Sequence, residues 1–360
     1  MNLTVLIMAG GRGERFWPKS RKKSPKQTLD LFNGKPLICS SINLVTPLIP
    51  LERIFIVTEK SVAEPLQKAI PKEFPAENII VEPVGRNTAA CIGLGTAHIL
   101  RKYPGATIAI LCADHLIPDG EQFRNHLRVA ILAAEQQDQL VTFGLTPLYP
   151  ETGFGYVESD EPILSDNGIT AYRAVRFVEK PDKETAERYV AQGNFFWNSG
   201  MFIWRAETIM QQFRNLMPAL YQGLQKIQAA IGTPQEQSVL RKEYRKLDKI
   251  PIDKGIMEKA ERVAVVKSNF IWYDIGTWLT MDHIRNKDDQ GNIVLGTAVG
   301  VDTQDCILVS DKPIIATIGV KDLVVVVSKD AILICPKGRT QDVKQIVSQL
   351  ESNPKLRRYI

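Results

Sequence analysis

From Met8 to Gln27 the chain reads Met-Ala-Gly-Gly-Arg-Gly-Glu-Arg-Phe-Trp-Pro-Lys-Ser-Arg-Lys-Lys-Ser-Pro-Lys-Gln, a stretch equipped to hold a polyphosphate. Gly10, Gly11 and Gly13 let the backbone turn sharply and bring its N–H groups against an anion. Seven cationic side chains (Arg12, Arg15, Lys19, Arg21, Lys22, Lys23 and Lys26) surround the turn against one acid, Glu14. That bias suits several phosphate charges. Two better-known glycine motifs are excluded: the Gly-Lys-Ser/Thr of a P-loop is absent, and Phe16 stands where a dinucleotide fingerprint requires its third glycine. A charge run alone reads more simply as a solvated, flexible loop. Three glycines directly after the apolar run Leu3–Met8 turn the balance toward anion binding.

Further along, Asp114 ends an apolar run and Asp274 sits between aromatics in Trp272-Tyr-Asp-Ile-Gly276. A hard cation such as Mg²⁺ takes one or two protein carboxylates together with phosphate and water oxygens. Each aspartate could instead cap a helix or pair with a lysine; the cradle favours a metal. Glu179-Lys180 and Asp253-Lys254 are carboxylates beside lysines, by default exposed ion pairs. Transfer between two phosphates, however, needs fixed cations on the attacking phosphate as well as the leaving one, and Lys180 or Lys254 could supply them. His115 invites a general-base reading, but a phosphate oxygen is already anionic at pH 7 and needs none, so His115 reads as supporting. Gly153, Gly155, Gly200 and Gly276 permit close backbone approach, and Asn198 and Glu179 can grip hydroxyls, which together suit a sugar. Turn glycines and core tryptophans explain each of these motifs singly. Glu82 and Arg86-Asn87-Thr88 offer an acceptor and donors for the Watson–Crick edge of a base; Asn87 reads otherwise as a helix cap.

The elements that must position these groups alternate. Leu3–Met8, Ile54–Val57, Ile79–Val81, Thr107–Cys112 and Val141–Phe143 are strand-length apolar runs, and the longer segments between them are helical: one from Pro36, then Ser61–Ala69, Asn87–Tyr103 and Glu121–Gln137. This predicts an α/β fold, a Rossmann-like, mostly parallel sheet with flanking helices. Continuous rather than alternating apolar strands imply burial on both faces. Ligands of such sheets sit beyond the carboxyl ends of the strands, and there the glycine loop, the Glu82–Thr88 run and Asp114-His115 all fall. Gln211–Ile231 and Pro234–Leu247 read as helical cover without chemistry. The polar run 285–292 marks a boundary, giving a large α/β domain over 1–288 and a small β-rich domain over 289–360 that ends in a helix near Gln341–Leu350.

Composition narrows the class. Forty-five cations against 40 anions, net +5, is too balanced for a nucleic-acid protein; basicity is local. Five widely spaced cysteines without a ligand pattern read as reduced core thiols. No signal peptide and no run near the roughly 20 apolar residues that span a bilayer are present, so a soluble cytoplasmic protein without membrane contacts is expected.

Gly10–Arg21 with Pro25-Lys-Gln27, Glu82–Ala89, Ala113-Asp-His115, Thr152–Tyr156, Phe177–Pro181, Trp197–Phe202 and Trp272–Trp278 together resemble the sugar nucleotidyltransferases, in their mannose-1-phosphate guanylyltransferase branch. The likeness spans residues 3 to about 285. It implies GMP transfer from GTP to mannose 1-phosphate with Mg²⁺ and release of pyrophosphate, and a small C-terminal domain of left-handed β-helix type. It further implies that Ala9, Gly10, Gly11, Arg12 and Gly13 hold the triphosphate with the catalytic cations Arg15 and Lys26 at its β/γ end. Glu82, Arg86, Asn87 and Thr88 would lie near guanine and ribose, and Asp114 and Asp274 at the metal, Asp114 also within the nucleotide site. Gly153, Glu179, Asn198 and Gly200 would surround mannose, with Lys180 catalytic near its phosphate. Phe16, Thr28 and Cys91 depart from the family pattern at packing positions. No isomerase activity is expected, and a homodimer is a possible assembly. Other sugar or base pairs, or a non-catalytic regulatory relative, are the alternatives.

Overall fold

The computed structural model describes residues 2–32 and 34–360. Four apolar runs become strands β1 (Leu3–Ala9), β2 (Ile54–Glu59), β3 (Ile79–Glu82) and β4 (Thr107–Cys112). They are followed by the short β5 (His115–Leu116), then β6 (Leu140–Leu145), β7 (Tyr156–Asp166), β8 (Ile169–Val178), β9 (Phe195–Arg205), β10 (Val263–Ser268) and the short β11 (Tyr273–Asp274). Nine of these form one sheet in the order β3-β2-β1-β4-β9-β6-β10-β8-β7. The β3–β4 half is parallel, whereas β9 runs antiparallel to both β4 and β6, and β7 and β8 pair antiparallel.

Both faces are covered, as continuous apolar strands require. Successive side chains of a strand point to opposite faces, so Leu3, Val5 and Ile7 enter one core with Ala109 and Leu111, while Leu6 enters the other with Ile108 and Ile110. Helices Leu37–Val45, Lys60–Ala69 and Gly120–Gln136 cover the first face. Helix Asn87–Lys102 and three later helices cover the second. The segment expected to be one helix over 211–231 is two, Ala206–Leu216 and Pro218–Ala230. Pro218 occupies the first helical position, where its missing N–H costs nothing, and so begins a helix rather than continuing one.

The remaining strands, β12 (Ile293–Leu295), β13 (Ala298–Val301), β14 (Ile307–Ser310), β15 (Ile315–Ile318), β16 (Leu323–Val327) and β17 (Ile332–Pro336), stack in parallel one coil above another, β12-β14-β16 on one side and β13-β15 on another. This is a β-helical arrangement, closed by the antiparallel β17 and the helix Val343–Ser352. Its core continues into the loops beyond the strand ends of the large sheet: Phe16, Trp17 and Trp278 share a cluster with Ile307, Val326, Val343 and Val347. The Phe16 and Trp278 rings lie 5.0 Å apart between centroids. Among the described residues, no helix is long and apolar enough to cross a membrane.

Candidate active site

The sheet diverges at β1, with β2 and β3 on one side and β4 on the other, which opens a crevice at the carboxyl ends of β1 and β4. Met8 pairs with Cys112, so Gly10 and Asp114, each two residues further on, leave the sheet at the same level. Gly11 and Gly13 then take φ of +80° and +66°. A Cβ on Gly13 would lie 2.2 Å from that of Lys26, so the absence of a side chain there is what lets Lys26 in. Gln27 ties the turn by donating to the carbonyls of Gly10 and Gly11 at 2.6 and 2.9 Å.

Lys26 is buried and donates to Asp114 Oδ2 at 2.5 Å and to the Ile275 carbonyl at 2.7 Å. Asp274 arrives on β11, which pairs antiparallel with β5 so that Asp274 opposes His115, while Ile275 N–H donates to the Asp114 carbonyl at 3.1 Å. Burial works against the charge of Asp114, but the Lys26 ammonium holds its pKa below the usual carboxylate range. Asp274 is pushed upward by burial and by the negative charge of Asp114. It has no cation within 4 Å among the described residues.

These two carboxylates fit a hard divalent cation. One is held ionised by Lys26, and the other has no ion pair, so a bound cation would favour its charged form. The sulfur of Cys112 lies within 4.8 Å of donor atoms of Asp114 and His115, but sulfur is a soft donor, whereas a hard cation such as Mg²⁺ takes oxygen ligands. His115 packs edge-on to Trp272 at 5.2 Å and its Nδ1 is buried without a partner; it supports the acids rather than joining them.

Around this pair lies a cleft of about 340 Å³ lined by Gly10, Gly11, Arg12, Gly13, Glu14, Arg15, Lys26, Asp114, Gly276 and, from the C-terminal helix, Lys344. Ala9 ends β1 fully buried beneath it. The seven cations expected around a triphosphate do not all serve there. Arg12 pairs with Glu351 at 2.8 Å, Lys22 with the same carboxylate at 3.4 Å, Arg21 with Asp330 at 2.5 Å, and Lys19 with Asp311. Their counter-charges come from the C-terminal unit, beyond the reach of any local reading. A larger cavity of about 810 Å³ between the two units holds none of the carboxylates gathered at the strand ends.

A second cleft of about 280 Å³, lined by Glu82, Arg86, Asn87, Thr88, Gly10 and Gly11 among others, adjoins the first. Glu82 is buried and accepts from the Tyr244 hydroxyl at 2.5 Å. Burial pushes its pKa up to about 7; the tyrosine bond works against that and the charge of Glu59 adds to it. Tyr244 belongs to helix Glu236–Tyr244, in a segment that reads from its residues as cover without chemistry; its one signal is a polar tip on a buried ring, which needs a partner. Arg86 donates to the Arg245 carbonyl, Asn87 caps its own neighbour by accepting from Thr88 N–H at 2.8 Å, and the Thr88 hydroxyl accepts from Ile252 N–H at 2.8 Å. Arg86 and Thr88 therefore brace the cleft against the 245–252 segment, while Asn87 acts within its own turn.

Beyond β9 the sugar-type residues converge. Asn198 is buried, accepts from Thr142 Oγ1 at 2.8 Å, and donates to Asp253 at 3.0 Å. Burial, with the nearby charge of Glu179, raises Asp253 to about 6. Glu179 pairs with the exposed Lys180, whose φ is +53°, and Lys254 is exposed. Gly200 (φ +69°) lies against His115. Gly153 does not join this group: it is exposed and donates to Glu151 at 2.7 Å. Gly155, two residues on, does join it, since a Cβ there would meet Glu179 at 2.7 Å and Asn198 at 3.4 Å.

The chain matches known proteins over nearly its whole length. Residues 4–290 match the family described as Nucleotidyl transferase, and residues 296–350 the MannoseP isomerase/GMP-like beta-helix domain. A mannose-1-phosphate guanylyltransferase of Klebsiella pneumoniae is 37% identical over 98% of this chain and 74% of its own length, and one of Salmonella muenchen is 38% identical over the same shares. A solved mannose-1-phosphate geranyltransferase from Thermus thermophilus superposes with a TM-score of 0.86 at 35% identity, over 98% of this chain and 100% of that one.

Proposed function

This chain belongs to the nucleotidyl transferase family, and within it to the mannose-1-phosphate guanylyltransferases, and on that premise we propose how its residues divide the work. The reaction moves GMP from GTP to mannose 1-phosphate and releases pyrophosphate. A phosphate oxygen of the sugar phosphate attacks the α-phosphorus in line; as that bond forms, the bond to the bridging oxygen breaks and its electron pair leaves on pyrophosphate. The attacking oxygen is anionic already, so no side chain need remove a proton and no covalent enzyme intermediate is involved.

The backbone of Ala9–Gly13 cradles the triphosphate, and Arg15 and Lys26 stabilise charge building on the departing pyrophosphate. Arg12 adds to this when its bond to Glu351 gives way. Glu82, with Arg86, Asn87 and Thr88 framing its cleft, receives guanine and ribose. Asn198, Glu179, Gly200 and Gly155 line the mannose side in place of the expected Gly153, and Lys180 swings from Glu179 to the sugar phosphate. Asp114 and Asp274 are the residues that would hold the divalent metal this family uses, which we take to be Mg²⁺. Bound, it neutralises phosphate charge. Residues 1–288 form the catalytic domain in this reading and 289–360 the β-helical one. Five cysteines, none in a disulfide, suit a reducing cytoplasm.

The observation that carries this reading is the meeting of the glycine turn, the Lys26–Asp114 pair and Asp274 at one strand-end crevice. Pyrophosphate release from each of four nucleoside triphosphates crossed with mannose, glucose and N-acetylglucosamine 1-phosphates tests it. GTP with mannose 1-phosphate should exceed every other pair, and a silent panel would overturn the assignment.

A further inference from the structure

The helix Val343–Ser352 closes the β-helical unit, but its contacts lie on the glycine loop. Residues three and four apart share one face of a helix, and here Lys344, Val347 and Glu351 share one. Val347 is buried in the cluster that holds Phe16 and Trp17, and Glu351 takes Arg12 at 2.8 Å. Lys344, two turns before Glu351, lines the 340 Å³ cleft together with Gly10, Gly11 and Arg15.

Charge distinguishes the cations of this cleft. Arg12 and Lys26 are paired to carboxylates. Arg15 and Lys344 have no carboxylate within 4 Å among the described residues. Thus one uncommitted cation comes from each unit of the chain. Four cations against Glu14 and Asp114 leave the lining with a surplus of positive charge, the condition under which a polyanion gains most from entering. Arg12 and Glu351 anchor the helix on the loop side of the cleft, whereas the sugar-type residues gather at β9. The helix therefore addresses the far end of a bound triphosphate, away from the reacting α-phosphorus. A lysine is a compact charge on a flexible stem and suits a terminal phosphate more than a planar, two-point grip.

We propose that Lys344 is a polyphosphate-binding residue contributed by the C-terminal unit, contacting the β/γ-phosphates of the nucleoside triphosphate and the inorganic pyrophosphate they become. This rests on the cleft being the triphosphate site.

Two variants of the full chain, Lys344→Ala and Lys344→Arg, test the proposal by equilibrium binding of GTP, GDP-mannose and pyrophosphate, with melting temperature alongside. Loss of one charge-assisted contact should weaken GTP and pyrophosphate about tenfold in the alanine variant. GDP-mannose, which lacks the far phosphates, should bind within about twofold of the unaltered protein, and arginine should restore most of the loss. Melting temperature should not move, because Lys344 is exposed and unpaired. Equal weakening of GTP and GDP-mannose, or no weakening of GTP, overturns the role of Lys344. Failure of the unaltered protein to bind GTP at all overturns the reading of the cleft instead, so the two failures are distinct.

Discussion

Asp114 and Asp274 are brought together across the two-residue β5–β11 ladder, and Lys26 serves only the first of them, 2.5 Å from Asp114. One carboxylate is therefore half-buried and paired with the buried Lys26, which supports the fold, and the other is half-buried, unpaired and kept for a ligand. Removing one partner of a buried pair costs about 3–5 kcal/mol because the other is stranded, whereas removing an unpaired charge relieves a cost. Asp114→Asn should lower the melting temperature, and Asp274→Asn should leave it unchanged or raise it. Both should reduce turnover by about a hundredfold or more, the scale for losing a charge-positioning group. Thermal melts beside pyrophosphate-release assays check this, and an equal drop in stability for both would overturn the division of roles.

The glycine turn separates packing from ligand approach in the same way. Gly13 has φ +66° and no room for a Cβ beside Lys26, while Gly10 has nothing within 4 Å. Gly13→Ala should displace Lys26 and destabilise the protein by about 1–3 kcal/mol through strain and overpacking. Gly10→Ala should fold with normal stability yet bind GTP at least about tenfold more weakly, because its methyl group shields an N–H that faces phosphate. A Gly10→Ala variant with undiminished GTP affinity would remove the backbone from the cradle.

Glu82 gives the protein a pH signature. Its pKa is raised from an ordinary 4.5 to about 7, so the folded state binds this proton more tightly than the unfolded chain. The stabilisation it brings is complete below the unfolded value and declines as pH rises toward 7. Between those limits the decline is on the order of 3 kcal/mol. Glu82→Gln should flatten that part of the stability–pH curve. Tyr244→Phe, which deletes a hydrogen bond favouring the carboxylate, should move the titration to higher pH. Denaturant melts across the window measure both, and a constant stability gap between Glu82→Gln and the unaltered protein would contradict the assignment.

On the sugar side, Asn198 holds Asp253 at 3.0 Å and is held by Thr142. Asn198→Ala removes a proposed hydroxyl contact and frees Asp253, so the KM for mannose 1-phosphate should rise about tenfold or more. The KM for GTP, bound at the other end of the crevice, should change by less than about threefold. A matched rise in both would mean that Asn198 supports the sheet rather than the sugar.

The parallel half of the sheet is legible in the residues because its strands are uninterrupted apolar runs ended by glycine or acid, and strand ends are where such folds place chemistry. Asp114 can be named from that logic, Lys26 from the basic bias of the glycine loop, and Asn198 from its place among the glycine and tryptophan motifs. The single helix expected over 211–231 fails because the amphipathic period continues through Pro218, and only the proline's position at a helix start divides it. Gly153 and Gly155 stand in one Thr-Gly-Phe-Gly-Tyr motif, and which of them meets the sugar-type residues is set by where β7 begins. Least legible are the partners of Arg12, Lys19, Arg21 and Lys22, since an ion pair between distant segments leaves no trace in either segment's pattern. The same holds for Tyr244 beneath Glu82 and Lys344 in the cleft.

Those ion pairs also set an order of events. Arg12 meets Glu351 across 339 positions of chain, and Phe16 and Trp17 pack against Val343 and Val347. On a ribosome, the loop after β1 must wait for that much later helix before it acquires its lasting neighbours. A nascent chain can assemble most of the large sheet while its signature loop still lacks those contacts. The lasting geometry of that loop is thus reached only after the β-helical unit has been made.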